Sequence, residues 1–132
     1  MTYLLDSHTL IWTIIDPGKL SAKALKILEA TENQIAVSSV SFWEISLKHA
    51  LGKLELRGIE PQELPALCKT IGFESIALLP QEAATYNQLE ATWHRDPFDR
   101  MLIWQAIKNN FTIISQDKLF NNYKSSGLNV LW

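Results

Sequence analysis

The stretch Thr2-Tyr3-Leu4-Leu5-Asp6-Ser7-His8-Thr9-Leu10-Ile11-Trp12 joins a short apolar strand to a helix through a single acid. Residues 2–6 read as a buried strand, and residues 7–16 as a short helix stopped by Pro17-Gly18. Strands of about five residues that are apolar on both faces belong inside a parallel sheet covered by helices. The rest of the chain repeats this alternation. Ser21 caps a helix with Ala24, Leu25, Ile27 and Leu28 at helical spacing. Residues 34–38 form the next strand, 40–51 a helix ending near Gly52, and 61–71 a helix ending at Gly72. Residues 76–79 are strand-like up to Pro80, and 81–93 and 97–109 are helical. Residues 111–115 are a strand, 117–126 a last helix ending at Gly127, and 128–131 a closing strand. The pattern predicts an α/β fold, a three-layer α/β/α sandwich around a mostly parallel sheet with right-handed crossovers. No strand separates the helices between Val40 and Ile71, so they are expected to form a hairpin beside the sheet.

The 132 residues are the size of one domain, expected over 1–132. With 47% apolar and 20% charged residues, the chain can fill a core, which excludes a disordered class. Cys68 is the single cysteine, so no disulfide forms within the chain, and five tryptophans without a cysteine framework fit a cytoplasmic protein. The start lacks a basic leader pattern, and no run approaches the roughly 18 apolar residues of a membrane span. The expectation is a cytoplasmic protein with no membrane partner. Fourteen acids against twelve bases leave a net charge of −2. A protein that held nucleic acid by charge alone would be strongly basic. Contact with RNA would therefore need a local basic rim or a bound cation.

Asp6 ends the first strand, Asp117 follows the strand over 111–115, Asp99 lies in the first turn after Pro97, and Glu44 lies about one turn into its helix. Ligands of open parallel sheets bind outside the carboxyl ends of the strands. The aspartates meet there if the strand over 2–6 neighbours the strand over 111–115, and Glu44 can point to the same place. Carboxylates crowded in one cleft repel each other unless a cation neutralises them. Hard oxygen ligands suit Mg²⁺ or Mn²⁺, and such an ion promotes hydrolysis of a phosphodiester. Each aspartate also reads as a helix cap. Asp96-Pro97-Phe98-Asp99 has Asp96 at the cap and Pro97 at the first helical position. Glu44 also reads as a solvent-facing partner of Lys48 at i,i+4.

The order and local wording of these segments resemble those of PIN-domain proteins, specifically the VapC-like toxins. Residues 3–12 resemble that family's first acidic motif, Ser38-Ser39-Val40-Ser41-Phe42-Trp43-Glu44-Ile45 its second, His94-Arg95-Asp96-Pro97-Phe98-Asp99-Arg100-Met101-Leu102 its third, and Ile113-Ile114-Ser115-Gln116-Asp117 its fourth. The resemblance implies a Mg²⁺- or Mn²⁺-dependent endoribonuclease, an antitoxin partner that buries the active site, and a homodimer. By position it implies Asp6, Glu44, Asp99 and Asp117 as catalytic and metal-binding acids, with Asp117 less direct. Ser115 matches a hydroxyl near the site, and Asp96 stands close, assigned mainly to capping.

Around these acids, Arg95, Arg100, Lys48 and Lys118 form a candidate rim for RNA phosphates, with a solvated charged face as the plain alternative. His8, His49 and His94 match no zinc pattern. Trp12, Trp43, Trp93, Trp104 and Trp132 can stack on unpaired bases, but burial in the core or an interface is the ordinary use. A receiver domain or haloacid phosphatase also places an Asp after its first strand. The latter needs a second Asp two residues on, where this chain has His8. A non-catalytic interaction module of the same fold, or an RNA-processing nuclease without an antitoxin, stands as the alternative function.

Overall fold

A computed structural model of the chain describes residues 1–90 and 96–132. Five strands, β1 (Thr2–Leu5), β2 (Gln34–Ser38), β3 (Glu74–Ile76), β4 (Thr112–Ile114) and β5 (Asn129–Leu131), form one sheet in the order β3-β2-β1-β4-β5. Every pairing is parallel. The helices are α1 (Ser7–Ile15), α2 (Ala22–Glu29), α3 (Ser39–Ala50), α4 (Leu64–Thr70), α5 (Pro80–Ala84) and α6 (Pro97–Asn109).

Side-chain alternation explains the layers, because successive residues of a strand face opposite sides of a sheet. Leu4, Ala36 and Ile113 pack on one face with Leu102, Ile103 and Ala106 of α6 and with Phe120 and Tyr123. Leu5, Ile35, Val37 and Ile114 pack on the other with Leu10 and Ile11 of α1, Ala24 of α2, Ile45 of α3, and Leu64 and Cys68 of α4. Both faces are covered, so the central strands are apolar throughout, as expected of a parallel sheet. The expected three-layer α/β arrangement is present. No strand intervenes between α3 and α4, and α3 packs on the 3-10 turn Pro61–Glu63 that leads into α4 more than along α4 itself.

Three elements depart from the sequence reading. The third strand runs Glu74–Ile76, not 76–79. Ser38 pairs with Ile76, after which the chain leaves the sheet, and the Ala77 carbonyl accepts from Gln105 Nε2. The helix expected over 81–93 ends at Ala84 and gives way to the 3-10 turn Tyr86–Gln88. Thr85 Oγ1 donates back to the Gln81 carbonyl and accepts from Trp104 Nε1. Arg100 Nη2 holds the Leu89 carbonyl at 2.9 Å. These tertiary anchors override the weak helical propensity of Thr-Tyr-Asn. The end of that expected helix, with Trp93, His94 and Arg95, lies outside the described residues. The last helix is a 3-10 helix, Lys118–Ser126, rich in Asn and Ser, which compete with the backbone for hydrogen bonds.

The topology positions the site. From β1 the chain winds outward through β2 and β3, then returns to the other side of β1 to form β4 and β5. The order therefore reverses at β1, and the switch-point crevice opens at the carboxyl ends of β1 and β4.

Candidate active site

Asp6 follows β1 directly, and its backbone N–H reaches the Ile114 carbonyl of β4 at 3.3 Å. Its Oδ1 accepts from Thr9 N at 2.8 Å, which caps α1. Its Oδ2 accepts from Ser115 Oγ at 2.5 Å. Ser115 Oγ in turn accepts from Asp117 N at 3.1 Å. One hydroxyl thus ties the acid after β1 to the acid after β4. The side chain of Asp117 caps the final 3-10 helix through Leu119 N at 2.9 Å. Both roles weighed from the sequence coexist here, since each of these aspartates caps a helix and faces the crevice.

Glu44 reconciles its two readings as well. It is 2% exposed, so it is no solvent-facing glutamate, yet its Oε2 pairs with Lys48 one turn on. Its Oε1 accepts from Ser7 Oγ at 2.6 Å, a bond that joins α3 to α1. Ser7 and Thr9 were not singled out by sequence reasoning. The available signal was the run of hydroxyl residues beginning directly after Asp6. At the start of α6, Asp96 Oδ1 accepts from Phe98 N at 2.9 Å and Asp99 N at 3.3 Å.

Glu44, Asp96 and Asp99 each offer a carboxylate oxygen, and these lie within 4.8 Å of one another. Among the described residues these three donors are placed so that they could hold one ion together. Asp96, read mainly as a cap, therefore stands in the group, while Asp6 and Asp117 act on Asp99 through their charge. Burial pushes the Asp99 carboxyl up to about 8 from an ordinary 3.8, reinforced by the fields of Asp96, Glu44, Asp6 and Asp117. Burial also raises Asp6, against the bonds from Ser115 and Thr9 and the nearby His8. Burial works against the charge of Lys48, but its bond to Glu44 and the fields of Glu44, Asp96 and Asp99 outweigh it and hold the ammonium above its ordinary range. The arrangement carries more negative charge than its own cations offset.

The candidate rim residues divide. Lys118 is exposed beside Asp117, and Lys48 is half-buried on Glu44. Arg100 is turned inward, with Nε 3.0 Å from Tyr86 Oη, Nη1 3.3 Å from Tyr123 Oη and Nη2 on Leu89. Those bonds fit a role in building the wall of the site better than one in gripping phosphate. The tryptophans divide too: Trp104 is buried, whereas Trp43 is 61% exposed. No helix among the described residues is long and apolar enough to cross a membrane.

Comparison with known proteins places this geometry in a family. Ribonuclease VapC22 of Mycobacterium tuberculosis is 24% identical over 131 residues, 99% of this chain and 98% of that protein. Among solved structures, VapBC2 from Rickettsia felis, bound to a DNA fragment from their promoter, superposes with a TM-score of 0.68 at 20% identity. That match covers 99% of this chain and 98% of the other. VapBC-1 from nontypeable Haemophilus influenzae superposes with a TM-score of 0.67 at 14% identity, over 99% of this chain and 97% of the other. At such identities these structures speak for the shared fold. The family model of the PIN domain matches residues 3–125, a span that contains Asp6, Glu44, Asp99 and Asp117, and the chain belongs to the PIN domain family.

Proposed function

We infer that this chain is a divalent-cation-dependent endoribonuclease, the toxin of a toxin–antitoxin pair, with Asp6, Glu44, Asp99 and Asp117 as its working acids. The observation that carries the reading is the convergence of carboxylates on Asp99, whose carboxyl is pushed up to about 8. A site that disfavours its own ionisation to this extent is built for positive charge. The donor set is all oxygen, with Glu44, Asp96 and Asp99 within mutual reach, and it fits a hard ion such as Mg²⁺ or Mn²⁺. Glu44, Asp99 and Asp6 would hold the ion, with Asp96 beside them and Asp117 at the margin. The chemistry such an ion supplies when bound is that of a Lewis acid, acidifying water and offsetting phosphate charge.

The chain's own residues supply order. Thr9 and Ser115 fix both oxygens of Asp6, so its orientation is set before substrate arrives. Ser7 does the same for Glu44. Lys48 neutralises part of the Glu44 charge in the resting protein and lies where an approaching phosphate meets the acids. The low exposure of Asp6, Glu44 and Ser115 keeps bulk water from weakening these interactions.

The name of the relative VapC22 and the VapBC complexes among the structural neighbours support a ribonuclease with a protein partner. Leu47 and Leu51, 41% and 58% exposed along α3 and its end, offer apolar surface that an antitoxin would cover. A cytoplasmic, homodimeric protein with one domain over residues 1–132 completes this reading.

The test is cleavage of a mixed pool of structured RNA by the purified protein with Mg²⁺, with Mn²⁺ and with excess EDTA, beside Asp99→Asn. Discrete cuts that need the ion and vanish in the variant support the assignment. No cutting by the purified, folded protein with either ion, or cutting by the folded Asp99→Asn chain at the wild-type rate, overturns it.

A further inference from the structure

Next to the acids lies a second cavity, of about 230 Å³, whose walls are almost wholly apolar. Val40 and Trp43 of α3, Phe98 and Met101 of α6, Leu78 and Tyr86 line it. Trp43 and Phe98 meet edge to face, with ring centroids 4.9 Å apart and an interplanar angle of 79°. Each of these rings sits one residue before an acid of the cluster, Glu44 and Asp99, and consecutive Cα atoms are only about 3.8 Å apart. The Tyr86 wall is braced, because its hydroxyl accepts from Arg100 Nε and the guanidinium lies 5.3 Å from the ring centroid. On another side of Glu44 the surroundings change character: in a cavity of similar size Lys48 and Lys53 stand with Glu44 itself above an apolar floor of Ile11, Ile45 and Leu54. Glu44 therefore follows an aromatic wall residue, Trp43, in the chain and itself faces a cavity that holds two lysines.

We propose that the Trp43–Phe98 pocket receives one unpaired nucleobase of the RNA strand whose phosphate lies at the acids, a proposal that rests on the ribonuclease reading. Capacity favours a base. The volume is below the roughly 300–1,000 Å³ of sites for drug-sized molecules and suits a single heterocycle. Position favours it too, since Trp43 and Phe98 are the chain neighbours of Glu44 and Asp99, so a base on these rings leaves its phosphate on the side of the acids. The contrast between the flanking cavities matches the substrate, which has flat apolar faces on one side and anionic phosphates along its backbone. Lys48 and Lys53 suit the neighbouring phosphate. The walls offer ring faces and methyl groups, and the Tyr86 hydroxyl is already engaged by Arg100. Selection is then by stacking area instead of by hydrogen bonds to base edges, which favours a purine over a pyrimidine at that position.

The experiment measures binding of labelled ten-nucleotide single strands of oligo(A) and oligo(U) to the Asp99→Asn chain, which holds RNA without cutting it. Trp43→Ala and Trp43→Phe are then added to the same chain. The expected result is tighter binding of oligo(A) than oligo(U). Trp43→Ala should weaken oligo(A) about tenfold, the loss of one base–aromatic stack, and erase the preference, while Trp43→Phe keeps most of both. In the otherwise wild-type chain, an unchanged melting temperature and Mn²⁺-induced shift for Trp43→Ala would show an intact fold and intact acids. Unaltered oligonucleotide binding by Trp43→Ala overturns the pocket while leaving the nuclease reading standing. Loss of a co-expressed protein partner without loss of RNA binding also overturns it, and assigns the pocket to that partner. Failure of every form to bind or cut RNA overturns both readings.

Discussion

Asp99→Asn is expected to make the cation-free protein more stable while removing its activity. Asparagine keeps the shape of the protonated carboxyl and cannot ionise. The folded chain holds Asp99 near 8, against 3.8 for an ordinary aspartate, because of burial and then the fields of Asp96, Glu44, Asp6 and Asp117. At pH 7 the unfolded chain is ionised at this position and the folded chain largely is not, so folding binds a proton. At about 1.4 kcal/mol per pH unit, that linkage removes about 4 kcal/mol of stability at pH 7. Asp99 is partly open to water, and screening brings the gain expected from the variant to about 2–4 kcal/mol. With about 2.1 cal/mol/K of unfolding entropy per residue, a chain of 132 residues should melt about 7–14 °C higher. The sign fixes the pH window. Well below pH 3.8 both states carry the proton and the two proteins should melt alike. The advantage should grow from there to about pH 8 and then level off. The assay is a thermal melt of both proteins in EDTA from pH 4 to pH 9, with circular dichroism to confirm one fold. Equal or lower melting temperatures for Asp99→Asn at pH 7–8 would refute the charge-crowding argument.

Asp6→Asn should keep the cap on α1, because an amide oxygen still accepts from Thr9 N, yet reduce metal-dependent RNA cleavage at least a hundredfold, on the order of 3 kcal/mol in the barrier. Ser115→Ala removes the hydroxyl that holds Asp6 and receives Asp117 N, so stability should fall by about 1 kcal/mol and kcat/KM roughly tenfold or more, read in melts and single-turnover cleavage. Gln105→Ala strips partners from Ser38, Glu82 and the Ala77 carbonyl at once, and a denaturant titration should show a loss of about 2–4 kcal/mol. A loss under 1 kcal/mol would mean that water replaces the amide.

Legibility from sequence followed the range of the forces involved. The helix Pro97–Asn109 was readable to the residue because its signals are local: Asp96 caps it, Pro97 opens it and Asn110, at φ 56°, closes it. The strand Glu74–Ile76 was misplaced because two of its three residues are polar and exposed at the edge of the sheet. The apolar pair Leu78-Leu79 drew the reading onward, but Leu78 faces the aromatic pocket instead. Past Ala84, the contacts of Thr85 with Trp104 and of Leu89 with Arg100 decide the backbone, and no local pattern announces them. Asp6 and Asp117 were visible as acids at strand ends. The hydroxyl that joins Asp6 to the β4 side, and the one that aims Glu44, bridge 109 and 37 positions of sequence, a coupling that only the folded topology reveals.

The pairing of β1 with β4 has a consequence in time. Asp6 emerges first from a ribosome, while the strand that receives it and the serine that orients it come more than a hundred residues later. At about 5–20 residues per second, the first acid waits roughly 5–20 seconds for its partners. During that interval the nascent chain has no assembled cleft, and an enzyme capable of damaging RNA is made inert. The cleft closes only once the β4 segment has been made, and by then a partner protein can be waiting to meet it.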